Sequence, residues 1–70
     1  MSEKQLLFIL QRALAENVKV TIYTQGHGFV GYVTDIGDDY VKLDWKIKKK
    51  SIENFISLSS IESIETKWDK

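Results

Sequence analysis

The apolar residues follow two different spacings, one before residue 17 and one after it. At 100° per residue, the first segment gathers six apolar side chains on one stripe: Leu6, Leu7, Ile9, Leu10, Ala13 and Leu14. Ser2 followed by Gln5 fits a capping box, and Asn17 is a plausible stop. We therefore predict a helix over 2–15. Phe8 falls among the polar positions, as either a partly exposed aromatic or a contact for another subunit.

From Val18 onward the apolar period becomes two, which predicts short strands. The first strand ends at Gln25-Gly26-His27-Gly28, where two close glycines are typical of a tight hairpin. Gly31 lies inside the second strand and marks a bend or a close backbone approach. The remaining elements are expected as strands over 29–36, 40–47, 55–58 and 62–68, a loop over 48–51 and a turn over 59–61.

One helix followed by five short strands predicts a mostly β fold. The chain is too short for a two-sheet sandwich, so we expect one domain over 1–70 with a strongly bent five-stranded, SH3-like barrel over 18–68. The helix should cover one end. Trp45 shares its predicted face with Leu43 and Ile47, which indicates the core. So small a domain buries only about 60% of its unfolded surface, so oligomerisation would help its stability.

Composition narrows the classes of function. The chain has no cysteine and one histidine, which argues against disulfides, thiolate metal sites and a His-rich metal centre. No signal peptide or membrane span is visible, and a cytoplasmic location without a cofactor is the expectation. Four serines, at 57, 59, 60 and 63, lack a predictable basic partner, so we interpret them as turn and surface hydroxyls. We do not expect an enzyme.

Charge is balanced over the whole chain but not along it. Ten basic residues meet ten acidic ones, yet the window 42–50 holds five lysines against one aspartate, a net charge of +4. The five are Lys42, Lys46, Lys48, Lys49 and Lys50. Such a cluster can neutralise phosphates without reading bases. It is equally typical of a solvated loop that maintains solubility.

Other candidates lie near the predicted turns. Four aromatic side chains offer faces on which an unpaired base could stack: Tyr23, Tyr32, Tyr40 and Trp45. Tyr40, beside a turn, is the preferred one. Three aspartates at 35, 38 and 39 suit a divalent cation, although turn capping accounts for them better. His27 could contact a base or simply stand at a solvent-facing hairpin tip.

Two runs resemble the motifs of the Sm-like family. The first run resembles the first Sm motif as it appears in Hfq-type bacterial proteins; it comprises residues 18–23 followed by Gly26, Phe29, Gly31, Val33, Ile36, Asp38, Tyr40, Val41 and Leu43. Residues 56–64 look like the second motif. The resemblance spans nearly the whole chain and is carried mostly by apolar positions and glycines.

The resemblance implies a bacterial or phage member that assembles into a homo-oligomeric ring of about five to seven subunits, the fourth strand of one subunit pairing with the fifth of the next. It implies binding of single-stranded RNA, as in RNA chaperones and riboregulators. Residue by residue, it assigns RNA-binding positions to Asp39, Tyr40 and Lys42, to Tyr23 and His27, and to Ser59. Leu58-Ser59 replaces the family's Arg-Gly or Lys-His pair, and Val30 replaces the usual Gln.

Two other functions remain open. The missing cations at Leu58-Ser59 and the overall neutrality fit a ring that serves as a protein-interaction or structural module without RNA. A monomeric SH3-like barrel that binds peptides is the third interpretation. The ring predicts a mass that is a multiple of one chain, and the monomer does not.

Overall fold

A computed structural model describes residues 2–68 of the chain. Within them one helix precedes five antiparallel strands, which confirms the predicted mostly β fold with an N-terminal helix. The elements are α1 (Glu3–Glu16), β1 (Lys19–Thr24), β2 (His27–Ile36), β3 (Tyr40–Ile47), β4 (Lys50–Ser57), a 3₁₀ turn (Leu58–Ser60) and β5 (Ser63–Thr66). No helix in this part of the chain is long and apolar enough to cross a membrane.

Both ends of α1 are capped as the sequence predicts. The Ser2 hydroxyl accepts from the backbone N–H of Gln5 at 3.2 Å, and the Gln5 side chain accepts from the Ser2 backbone N–H at 3.5 Å. These bonds satisfy N–H groups that the first turn leaves without partners. Asn17 ends the helix in the left-handed conformation, with φ 54° and ψ 49°.

The strands form one sheet in the order β4-β3-β2-β1-β5. Within residues 2–68, β4 and β5 stand at opposite edges and are not paired with each other, so the predicted closed barrel is not confirmed. Each neighbouring pair is antiparallel. The β2–β3 ladder shifts register between Val33 and Asp35, which is the one irregularity among these pairings.

The core lies between α1 and one face of the sheet. Leu10 on the helix and Ile22 and Leu43 on the strands are fully buried. Alternate residues of β1 and of the first half of β3 are buried in this core, which is the origin of the period of two in their sequence. The complete set of buried apolar residues is Leu6, Leu10, Ala13, Val20, Ile22, Val33, Val41, Leu43, Ile56 and Leu58.

Two glycines, Gly26 and Gly31, have the structural roles that the sequence predicts, one in a tight turn and one at a close approach of two strands. Gly26 adopts φ +73° in the two-residue turn between Thr24 and His27, a conformation that other residues rarely adopt. Gly31 lies where the backbones of β2 and β3 approach closely, because a Cβ there would stand 2.7 Å from the carbonyl oxygen of Asp44. A close backbone approach of this kind admits only glycine without a shift.

Strand lengths differ from the predictions at the lysine-rich turn and near the C-terminus. The predicted loop over 48–51 is two residues too long: Ile47 pairs with Lys50, so only Lys48 and Lys49 form the turn, with Lys48 at φ 56°. β4 therefore begins at Lys50 rather than Phe55, since the backbone ladder continues through polar residues. β5 is shorter than predicted and ends at Thr66.

The prediction that Trp45 lies in the core is also wrong. Trp45 is half-buried, and Ile47, two residues further along β3, is 50% exposed. The apolar alternation continues along β3 past the end of the core, so the same face is covered at Leu43 and open at Ile47. On α1, Phe8 is 67% exposed, as its position on the polar face predicts. Leu14, at the edge of the apolar stripe, is 41% exposed.

Candidate nucleic-acid interface

The structure divides the predicted site residues among separate places. Lys46, Lys48, Lys49 and Lys50 lie around the β3–β4 turn, which we name the lysine tip. Tyr40 and Lys42 lie at the other end of β3. Successive residues of a strand advance by about 3.3 Å, so Tyr40 and Ile47 stand roughly 23 Å apart along β3.

The lysine tip presents free positive charge. All four of its lysines are exposed, and none takes part in a salt bridge within residues 2–68. The backbone pairs Ile47↔Lys50 and Lys46↔Ser51 hold the base of the tip in a regular ladder. The four ammonium groups are therefore carried on a short, structured hairpin rather than on a long loop.

Lys42, by contrast, already has anionic partners. Its Nζ lies 2.9 Å from Glu53 Oε2 and 3.9 Å from Asp44 Oδ1. The hydrogen bond to Glu53 is the largest effect. With the charges of Asp44 and Glu53 it outweighs the opposing effect of desolvation and raises the pKa of Lys42 above its usual 10.5. The carboxylate of Glu53 offsets the positive charge of Lys42. A phosphate that binds Lys42 would therefore have to compete with Glu53.

Tyr40 is engaged at its hydroxyl and along its ring. The hydroxyl donates to Asp35 Oδ2 at 2.9 Å, and the ring packs against Phe55 with centroids 5.9 Å apart. The ring also covers Gly37, where a Cβ would clash with it. The hydrogen bond to Asp35 and the negative charge of that carboxylate raise the pKa of Tyr40 above 10.0.

Asp39 and Ser59 line the same acidic groove, beside the N-terminus of α1. The backbone N–H of Leu58 donates to the carbonyl oxygen of Asp39 at 2.9 Å, which joins the 3₁₀ turn to the turn before β3. Glu3 and Asp38 line the same groove. Three carboxylates repel phosphate. The described residues contain no group of three or more side chains placed to hold a metal ion. The aspartates at 35, 38 and 39 therefore do not form such a group.

Tyr23 and His27 lie at the β1–β2 hairpin. Tyr23 is 40% exposed with its ring beside Gly28, and the imidazole of His27 is tilted against Phe29 at 6.4 Å. His27 and Ser59 line one shallow groove, which Tyr23 does not line. Of the two hairpin residues to which the resemblance assigns RNA binding, only His27 therefore shares a groove with Ser59.

Sequence reasoning missed one pairing that bears on binding. The rings of Tyr32 and Trp45 are stacked, with centroids 6.3 Å apart and an angle of 25° between their planes. Their proximity depends on the β2–β3 register, in which Tyr32 pairs with Asp44, the neighbour of Trp45. Two aromatic residues on adjacent predicted strands were the available signal, but Trp45 was assigned to the core.

Comparisons of this chain with protein-family models, with curated proteins and with solved structures found no match.

Proposed function

We propose that this chain is an Sm-like subunit that assembles edge to edge into a homo-oligomeric ring and binds single-stranded RNA through its lysine tips. The observation that carries the proposal is a sheet whose edge strands, β4 and β5, each pair on one side only within residues 2–68, with the lysine tip at the start of β4 forming no salt bridge in that range. The resemblance of the sequence to the Sm motifs supports the same assembly.

The free edges favour association between copies. An exposed edge presents unpaired backbone N–H and C=O groups, and pairing them with another strand satisfies them. β4 is eight residues long and exposes Ile52 at 39% and Phe55 at 65%. Each copy carries one β4 edge and one different β5 edge, so the contact is heterologous, and such contacts close into a ring when the rotation between copies allows it.

A ring would multiply the lysine tips. Each tip alone offers weak, sequence-independent contacts with phosphates, but repeated tips act together on one strand of RNA through avidity. Within this proposal, Lys46, Lys48, Lys49 and Lys50 contact phosphates. Lys42 and Tyr40 stabilise the start of β3 through their bonds to Glu53 and Asp35.

The test is fluorescence anisotropy of a labelled, mixed-sequence single-stranded RNA titrated with the protein over a series of salt concentrations. The double variant Lys48→Gln/Lys49→Gln should weaken binding and reduce the slope of log K against log salt by about 1.4 for each tip that contacts the strand, since each phosphate contact contributes about 0.7 for single strands. The control Lys4→Gln/Arg12→Gln, with both changes on α1, alters the net charge equally and should leave the slope unchanged. No binding at low salt, or equal effects of both double variants, would reject the lysine tip as the RNA site.

The second candidate function is that of a ring that binds a protein partner and no RNA. The offset charge of Lys42 and the carboxylates around Asp39 and Ser59 make that end of β3 unsuitable for RNA. A ring that binds a protein partner instead, without RNA, would retain its mass in solution and show no RNA binding at low salt.

A further inference from the structure

Tyr32 on β2 and Trp45 on β3 form an aromatic pair outside the buried core. Their ring centroids lie 6.3 Å apart with only 25° between the planes. Tyr32 is 38% exposed and Trp45 is half-buried. The Nζ of Lys19, at the start of β1, lies 5.4 Å from the centre of the Trp45 ring. Two nearly parallel aromatic rings are thus available at the surface, with a cation beside them.

The pair lines a mostly apolar groove that leads to the lysine tip. Thr34 and Asn17 line other parts of the groove, and Lys46 lines it beside Trp45. The one carboxylate that lines this groove is that of Asp44. Lys46 also belongs to the lysine tip, so the groove that holds the aromatic surface adjoins the positive charge of the tip. This adjacency is the arrangement that single-stranded nucleic acid requires, in which bases stack while the backbone follows a positive track.

We propose that Tyr32 and Trp45 form a stacking site for an unpaired nucleobase of single-stranded RNA whose phosphates lie on the lysine tip. This inference rests on the proposed function and extends it from the RNA backbone to the base. Lys19 contributes positive charge at the aromatic face. The site is sequence-tolerant, because every base has a π face.

An aromatic pair of this kind also suits a proline-rich peptide, which docks in aromatic-lined grooves. Charge decides between the two ligands. Lys19 and Lys46 flank the rings, and the one carboxylate lining the groove, Asp44, lies 3.9 Å from Lys42 Nζ. Glu16 and Glu65, which line the neighbouring groove beside Tyr32, are balanced there by Lys19 and Lys67. The excess of positive charge lies at the end where Lys46 joins the lysine tip, so that end of the groove favours a polyanion over an uncharged proline-rich segment.

The fluorescence of Trp45 provides a direct test. In the chain of residues 1–70 carrying Trp68→Phe, Trp45 is the single tryptophan. We expect a mixed-sequence single-stranded RNA to quench its emission, and an abasic oligonucleotide of the same length and charge to bind without quenching. Tyr32→Ala should weaken RNA binding about tenfold, whereas Tyr32→Phe should keep the affinity. Phe8→Ala is the control and should leave the affinity for RNA unchanged, because Phe8 is an exposed aromatic side chain on α1, 67% exposed, to which no RNA contact is assigned.

The outcomes separate this inference from the proposed function. RNA binding that depends on salt and on the lysine tip, but leaves Trp45 emission and the Tyr32→Ala affinity unchanged, would overturn the stacking site alone. Loss of all RNA binding would overturn both. Quenching by a proline-rich peptide, with none by RNA, would identify the groove as a peptide site and also contradict the inference.

Discussion

Gly31→Ala tests the close approach of β2 and β3. A Cβ at Gly31 would stand 2.7 Å from the carbonyl oxygen of Asp44 and 3.2 Å from its carbonyl carbon, whereas ordinary contacts begin at 3.4 Å. The shortfall of 0.7 Å is against the backbone of a central strand, which cannot rotate away as a side chain can. The two strands must separate locally, which strains the ladder that β3 forms with β2.

Overpacking of this kind costs about 1–3 kcal/mol. For a domain of this size each kcal/mol lowers the midpoint of thermal unfolding by about 4–8 °C, so a cost near 2 kcal/mol lowers it by about 8–16 °C. Circular dichroism during heating measures the shift. The control Gly28→Ala places its Cβ 3.2 Å from the ring of Tyr23, a partly exposed side chain that can move. That variant should unfold within about 3 °C of the parent protein. A Gly31→Ala protein as stable as the parent would refute the close approach.

Two further predictions concern the core and the Tyr40 hydroxyl. Leu10→Ala removes a fully buried side chain and should lower the free energy of unfolding, measured in urea, by about 2–5 kcal/mol. The control Phe8→Ala, at a 67% exposed position, should change it by less than about 0.5 kcal/mol. Equal effects of the two variants would contradict the orientation of α1. The pKa of Tyr40 is higher in the folded protein than in the unfolded chain, so its hydrogen bond to Asp35 stabilises the fold fully below pH 10.0. That stabilisation is lost as the pH rises through the pKa of Tyr40 in the folded protein. NMR titration of the Tyr40 ring should show a pKa above 10.0 that falls in Asp35→Ala, and an unchanged pKa in that variant would contradict the bond.

Local signals in the sequence predicted much of the fold. The capping box at Ser2 and the left-handed stop at Asn17 depend on residues within one or two turns, so they are visible without tertiary information. The limits of β3 were also predicted correctly, because Gly37 and the following aspartates end the preceding strand in a turn. Gly31 was interpreted correctly, since a glycine inside an apolar strand usually lies where another backbone comes close.

Features that depend on register between strands were not predictable. The alternation along β3 identifies the face of Trp45 but not where the core ends along that face, so its half-buried position was missed. Lys42 counted as a free cation until the pairing of β3 with β4 placed Glu53 beside it. The start of β4 was missed because Lys50 and Ser51 have little strand propensity, and the ladder outweighs it.

Assembly through the sheet edges is tested most directly by native mass spectrometry. The account predicts a closed species of about five to seven copies of the 8.1 kDa chain. Ile52→Lys should shift it to the monomer, because a charge on edge strand β4 opposes pairing. Val30→Lys, at a similarly exposed position on internal strand β2, should leave it intact. A single species of 8.1 kDa in the unmodified protein would contradict the assembly.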